Sequence, residues 1–131
     1  MPRRLLAIVG PTASGKSALA LRLAERLPIE IVSCDSLQVY RGLDVGSAKP
    51  TRGERAHITH HLIDVVAPDE EYSAARYAQE ARRALDEISS RGHHPVVVGG
   101  TGLYLRALLS GLFPGPSRDE ALRRRLEGWA Q

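Results

Sequence analysis

Gly10, Gly15, Lys16 and Ser17 stand at the spacing of a phosphate cradle, within the run Gly-Pro-Thr-Ala-Ser-Gly-Lys-Ser at 10–17. This is the complete G-x-x-x-x-G-K-[ST] pattern, and the chemistry sets its residue types. A loop made of Gly10, Pro11, Thr12, Ala13, Ser14 and Gly15 can turn its backbone N–H groups onto phosphate oxygens. A helix opening near Lys16 adds the positive end of its dipole. Gly10 and Gly15 leave the anion the space that a side chain would take. Lys16 can neutralise oxygens of a terminal phosphate, and Ser17 Oγ can ligate Mg²⁺. The cradle selects a pyrophosphate group; it does not by itself specify a nucleotide.

Asp35 is the second residue with chemical reach. It follows a short apolar run at 29–33, so it is expected at the carboxyl edge of a parallel sheet, the edge that also carries the phosphate loop. A carboxylate there can hold a metal through water, orient a nucleophile or accept a proton. The bland alternative is a cap for the turn that opens at Ser36. Asp64 has a similar position after residues 62–63. His57, His60 and His61 lack metal-ligand spacing and read as loop or packing residues. At 96–102, Val-Val-Val-Gly-Gly-Thr-Gly ends a strand in glycines and a hydroxyl. A nucleotide hydrolase often carries an acidic, metal-orienting residue there. Its absence counts against ordinary hydrolysis, although Asp35 or Asp64 could take that part. Thr101 would face the site, unless the glycines serve only a tight turn.

These residues need a scaffold, and the pattern around them supplies one. Residues 5–9 form a continuous apolar run ending at Gly10, as in a strand covered on both faces. Leu19, Leu23 and Leu27 recur four apart, with Ala20 and Ala24 beside them, and predict one helix face closed by Pro28. With the strand at 29–33 this makes a βαβ unit, whose crossover is expected to be right-handed. Residues 42–61 read as a long surface segment with one helical turn near Glu54. Residues 62–66 are expected as a strand. Ser73 caps a helix running to Ser90, with Ala74, Tyr77, Ala81, Leu85 and Ile88 on one side and Gly92 closing it. Val96, Val97 and Val98 supply another buried strand, and a helix follows over about 103–109. Asp119 is expected to cap a last helix containing Leu122, Leu126 and Trp129. The expected class is α/β: a three-layer, P-loop NTPase-like fold with a parallel sheet, truncated, because the chain ends on a helix with no closing element.

Composition agrees with a globular domain: 131 residues, 43% hydrophobic and 25% charged. Cys34 is the only cysteine, which excludes an internal disulfide and a cysteine-based zinc cluster. No apolar stretch reaches the ~18 residues of a transmembrane helix, and residues 5–9 are too short for a signal peptide's apolar region. No membrane contact and a cytoplasmic location are therefore expected. The net charge of +3 leans mildly toward a polyanionic partner, with Arg123, Arg124 and Arg125 as the densest basic run. The face of a solvated helix explains that run equally well.

Several segments together resemble the tRNA dimethylallyltransferase (tRNA isopentenyltransferase) family. They are the run at 10–17, Asp-Ser-Leu-Gln-Val-Tyr-Arg-Gly at 35–42, Gly-Ser-Ala-Lys-Pro-Thr at 46–51, His-His-Leu-Ile-Asp at 60–64, Tyr-Ser-Ala-Ala at 72–75 and Val-Gly-Gly-Thr-Gly-Leu-Tyr-Leu at 98–105. The resemblance covers nearly the whole chain and implies that residues 1–131 are the N-terminal portion of the catalytic domain. It implies transfer of a dimethylallyl group from its diphosphate to N6 of the adenosine just 3′ of the anticodon in tRNA. The loop at 10–17 would hold the donor's diphosphate rather than ATP, with Mg²⁺ as cofactor and Ser17 as its protein ligand. Asp35 would be the general base. Asp35, Ser36, Leu37 and Gln38 match the stretch that contacts the target nucleotide, and Thr101 and Arg123 match tRNA-contact positions. Ser17 stands where many family sequences have Thr; either hydroxyl serves a metal. The family's later helical insertion, which grips the anticodon stem, has no counterpart in these residues. The full-length form is expected as a monomer. The competing readings are an adenylate prenyltransferase, a P-loop small-molecule kinase, and a fragment that binds diphosphate or a partner without turnover.

Overall fold

A computed structural model of the protein describes residues 5–10, 16–42, 49–100 and 102–112. Among these described residues four strands, β1 (Leu6–Val9), β2 (Ile29–Cys34), β3 (His60–His61) and β4 (His94–Gly99), form one parallel sheet in the order β1-β4-β2-β3. The helices described are α1 (Lys16–Ala24), α2 (Arg52–His57), α3 (Ala74–Ser90) and α4 (Gly102–Leu112). β1 and β2 are thus joined through α1 but are not neighbours, because β4 lies between them. That central place suits Val96 and Val97, which are both buried, because a strand paired on two edges and covered on two faces favours apolar residues.

Alternation along the strands feeds two cores, one on each face. Ala7, Val32, Cys34 and Val97 pack with Tyr77, Ala81, Leu85 and Ile88 of α3 and with Leu105 and Leu108 of α4. Ile8, Ile29, Ile31 and Val96 pack on the other face with Ala20 of α1 and with Ile58. Helices on both faces of a parallel sheet give the three-layered α/β architecture expected from the sequence.

The best-specified element is α3. Ser73 accepts a hydrogen bond from the Arg76 N–H at 3.0 Å, Arg91 is the C-cap, and Gly92 beyond it takes φ 77°. That left-handed geometry is open to glycine without a Cβ penalty. Tyr77, Ala81, Leu85 and Ile88 are all buried, as the spacing predicts. In α2 the helical turn near Glu54 is real and carries a full capping box, Thr51 with Glu54.

Two expectations are corrected. Ala20, Leu23 and Ala24 face the core as expected, joined by Leu21, but Leu19 and Leu27 do not; they are 48% and 46% exposed. A four-residue step overshoots the 3.6-residue turn, so 19, 23 and 27 drift around the helix, and the helix ends at Ala24 before Leu27. Residues 62–66 are not a strand. β3 stops at His61, because Leu62 and Asp64 take φ of 66° and 58°, and only Val66 returns to extended pairing, as a bridge to Tyr40. The last helix expected after Asp119, with Leu122, Leu126 and Trp129, lies outside the described residues.

At the amino end of the sheet, Glu30 is a buried carboxylate among the apolar residues Ile29, Ile31 and Val32 of β2. Arg91 grips it with Nε at 2.9 Å and Nη2 at 2.7 Å, while His61 Nε2 lies 2.8 Å and His93 Nδ1 2.9 Å from its oxygens. One carboxylate thereby ties β2 to β3, to the end of α3 and to the entry of β4. The sequence reading missed it; the one available signal was a lone acid inside the run Ile-Glu-Ile-Val at 29–32.

Candidate functional site

The carboxyl ends of β1, β4 and β2 finish level. Val9 is paired with Gly99, and Gly99 with Cys34. Gly10 continues this row by donating its N–H to Gly99 O at 3.3 Å. Gly10, Gly99 and Asp35 therefore mark one line along the edge where parallel α/β sheets carry their ligands. Two strand spacings separate the first from the last, roughly 10 Å. This is the convergence expected of Gly10 and Asp35.

Gly99 has a packing reason as well as a place in the site. A Cβ added there would lie 2.1 Å from Cys34 O and 2.4 Å from Cys34 C, both backbone atoms of a central strand. The glycine is thus required for β2 and β4 to approach at the edge, whatever it does for a ligand. Gly99→Ala is expected to destabilise the fold by about 1–3 kcal/mol through overpacking, read as a lowered urea midpoint. A midpoint equal to wild type would show that the edge can open.

Asp35 is half-buried at the end of β2. Its Oδ1 accepts from the N–H groups of Leu37 at 2.8 Å and Gln38 at 3.2 Å, so the carboxylate does cap the turn that holds Ser36, Leu37 and Gln38. Both of those bonds fall on Oδ1, and Oδ2 takes none among the described residues. Gln38 Oε1 in turn accepts from Ser33 Oγ at 2.9 Å. A capping role and a chemical role can therefore coexist on one side chain, one oxygen for each.

Asp64 is not a second chemical carboxylate on the strand edge. Lys49 Nζ and Arg55 Nη1 both donate to it, the latter at 3.1 Å. Burial pushes the Asp64 carboxyl up, but the hydrogen bonds and charges of Lys49 and Arg55 outweigh it and hold the group below its usual range. This cluster of Lys49, Arg55 and Asp64 was not legible in the sequence. His60 packs as expected: its Nδ1 donates to Ile58 O at 2.7 Å, and burial pushes its pKa down. Among the described residues no group of three His, Cys, Asp or Glu side chains could hold a metal.

Of the phosphate loop, Pro11, Thr12, Ala13, Ser14 and Gly15 lie outside the described residues, as do Thr101 and Arg123. Gly10 sits at the end of β1, and Lys16 and Ser17 open α1. The backbone thus has the strand-then-helix order that such a loop requires. On the far side, α4 starts at Gly102 and is anchored by aromatic packing. The Tyr77 and Tyr104 rings stack at 4.7 Å, and Tyr104 Oη donates to Tyr72 O at 3.2 Å.

A family model described as IPP transferase matches residues 38–131. The chain belongs to the IPP transferase family. It is 58% identical over 128 residues to tRNA dimethylallyltransferase 2 of Geotalea uraniireducens, covering 98% of this chain and 41% of that protein. It is 61% identical over 124 residues to the tRNA dimethylallyltransferase of an Anaeromyxobacter species, covering 95% of this chain and 41% of that one. The chain spans about two-fifths of the length of these curated relatives. The crystal structure of full-length tRNA isopentenylpyrophosphate transferase from Bacillus halodurans superposes with a TM-score of 0.79 at 46% identity, covering 96% of this chain and 42% of that chain. A eukaryotic dimethylallyltransferase acting on tRNA superposes with a TM-score of 0.73 at 36% identity, over 81% of this chain and 27% of that chain. Membership of the IPP transferase family agrees with the resemblance carried by the motifs. Among the described residues no helix is long and apolar enough to cross a membrane.

Proposed function

We propose that this chain supplies the donor-phosphate cradle and the acceptor-facing edge of a P-loop enzyme that transfers a dimethylallyl group to N6 of the adenosine 3′ of the anticodon in tRNA. The observation that carries the reading is the level row of Gly10, Gly99 and Asp35 in a member of the IPP transferase family. Gly10, where the loop leaves β1, and Asp35 at the end of β2 lie two strand spacings apart, roughly 10 Å along the edge, which suits an allylic carbon passed between a donor at one end and an acceptor at the other. A kinase or hydrolase is less well served, because the strand between them ends in glycine rather than in an acid.

The residues divide the step between them. The allylic C–O bond breaks with its electron pair leaving on diphosphate while the bond from N6 to the allylic carbon forms. The loop at 10–17 and Lys16 stabilise the charge that grows on the departing diphosphate. Oxygen donors suit Mg²⁺, and Ser17 at the start of α1 is the residue that would hold it; when bound, the ion adds positive charge beside the diphosphate. An adenine amine is far too weak an acid for aspartate to ionise beforehand. It becomes acidic as the N–C bond forms, and Asp35 accepts the proton at that point. Water must be kept from the allylic carbon, or it would capture the group. The target base must also leave its stack to reach this edge. Ser36, Leu37 and Gln38 in the turn, together with Thr101 and Arg123, are proposed tRNA contacts. A cytoplasmic location and a monomeric full-length form belong to the same reading.

Labelled dimethylallyl diphosphate offered to the full-length protein with tRNA, free AMP and water as acceptors tests the assignment. Label on tRNA alone is the expected result; label on AMP makes it an adenylate prenyltransferase, and phosphoryl transfer from ATP makes it a kinase. Lys16→Ala is expected to weaken donor use by roughly 10- to 100-fold, the worth of one charge-assisted contact. RNA affinity, spread over many contacts, should stay nearly unchanged. Equal losses in donor use and tRNA affinity would overturn that division.

A further inference from the structure

Gln38 is held from several directions. Its N–H donates to Asp35 Oδ1, its side-chain oxygen accepts from Ser33, and its backbone carbonyl accepts from the Asp64 N–H at 2.9 Å. The first two bonds come from β2 and the turn itself. The third comes from a different segment, which continues alongside: Val65 N–H donates to Val39 O at 2.8 Å, and Arg41 N–H to Val66 O at 2.9 Å. Residues 64–66 thus form a brace along 38–41.

Presenting that brace has a conformational cost. Leu62 and Asp64 both adopt left-handed φ, 66° and 58°, without being glycine. Left-handed φ is disfavoured for L-residues other than glycine, and more strongly for Leu than for Asp. Such geometry persists only where the surroundings over-determine it. Here they do. Leu62 is buried in the core cluster that includes residues of α3 and α4, and the Asp64 carboxylate is gripped by Lys49 and Arg55. The Lys49 side chain is only 8% exposed, and its ammonium also donates to Tyr40 O at 2.8 Å. One nearly buried cation therefore closes the brace on Asp64 and on the far end of the 35–40 segment together.

We propose that Lys49 and Asp64 are positioning residues for transfer: their ion pair, closed on Tyr40 O, fixes the turn at 35–38 and with it the direction in which Asp35 meets the acceptor base. The assignment rests on the reading of Asp35 given above. Neither residue touches the reacting atoms. Asp64 is not poised as a metal ligand either, since its described charged neighbours are two cations. A carboxylate free to wander by an ångström would lose much of its value as a proton acceptor, because proximity effects depend steeply on alignment.

The test uses variants that spare the backbone. Asn tolerates left-handed φ, so Asp64→Asn keeps the N–H bond to Gln38 and removes the charge. Asp64→Gly keeps the φ and removes the side chain. Lys49→Met keeps the apolar stem and removes the ammonium. Amide exchange of Leu37, Gln38 and Tyr40 in the substrate-free, full-length protein should speed up about tenfold in each, with Val96 and Val97 of β4 unchanged as the check on global folding. Single-turnover transfer at saturating tRNA and donor should fall about tenfold while donor affinity holds. Lys49→Met combined with Asp64→Asn should lose little more than the worse single variant, as expected of one unit.

Unchanged exchange at 37–40, or faster exchange with unchanged transfer, overturns the proposal. So does a loss of donor affinity that matches the loss of transfer, which would mean general loosening. Wild type and Asp35→Asn run in parallel keep the two claims apart. An inactive wild type or a fully active Asp35→Asn overturns the reading of the site and the positioning claim together, whereas normal wild type and impaired Asp35→Asn with intact brace variants overturns the positioning claim alone.

Discussion

Asp35→Asn is expected to lower single-turnover dimethylallyl transfer by roughly 10²- to 10⁴-fold, the usual worth of a positioned proton acceptor, with tRNA and donor binding changed far less. The structure makes this substitution a clean one. Oδ1 of Asp35 caps the turn through the N–H groups of Leu37 and Gln38, and an asparagine oxygen can accept the same two bonds. The turn survives while the charge and basicity are lost. Asp35→Ala removes the cap as well, adding about 1 kcal/mol of local destabilisation, and would confound chemistry with structure. Normal binding of both substrates with near wild-type transfer would eliminate Asp35 as the proton acceptor. Donor binding that collapses only when Mg²⁺ is present would assign the carboxylate to organising the metal instead.

What was legible in the sequence follows from the range of the interactions involved. β1, β2 and β4 are apolar runs, and α3 carries its own cap, stripe and glycine stop, so each is specified by residues within it. Gly10 and Asp35 converge on one edge because every parallel strand ends there; that was legible without knowing the strand order. The insertion of β4 between β1 and β2 was not, since an apolar run does not reveal which strand it pairs with. Residues 62–66 read as a strand because Leu, Ile and Val dominate them. They refuse the ladder because Leu62 and Asp64 turn left-handed to reach Gln38, a contact 26 residues away in sequence for Asp64. Lys49 is unremarkable in composition and becomes informative only once that brace has formed. Glu30 shows the same limit, with Arg91 lying 61 residues on.

Glu30 is expected to make the fold acid-sensitive by about 2–3 kcal/mol. The hydrogen bonds of Arg91 are the largest influence on its carboxyl; burial opposes them, and His61, the charge of Arg91 and His93 add to them, so the pKa falls from the usual 4.5 to about 2. Each tenfold difference in proton affinity between folded and unfolded chains is worth about 1.4 kcal/mol. The full shift is discounted here, because the Arg91 side chain is 45% exposed and partly screened by water. The sign follows from which state binds the proton first. With the folded pKa depressed, the contribution is complete above about pH 4.5 and is lost as pH falls toward 2, where the folded protein takes up the proton too. Urea midpoints measured between pH 5 and pH 2 should therefore decline more steeply for wild type than for Glu30→Gln, which has no carboxylate to protonate. At pH 6 that variant should already be less stable by a similar amount, since an amide leaves Arg91 Nε or Nη2 facing an N–H group. The loss should not approach the ~3–5 kcal/mol of a buried pair broken on one side, because the guanidinium can swing into water. Parallel pH profiles for the two proteins would show that Glu30 does not carry the acid sensitivity, and a variant as stable as wild type at pH 6 would show that the cluster orders β2, β3 and the end of α3 without stabilising them.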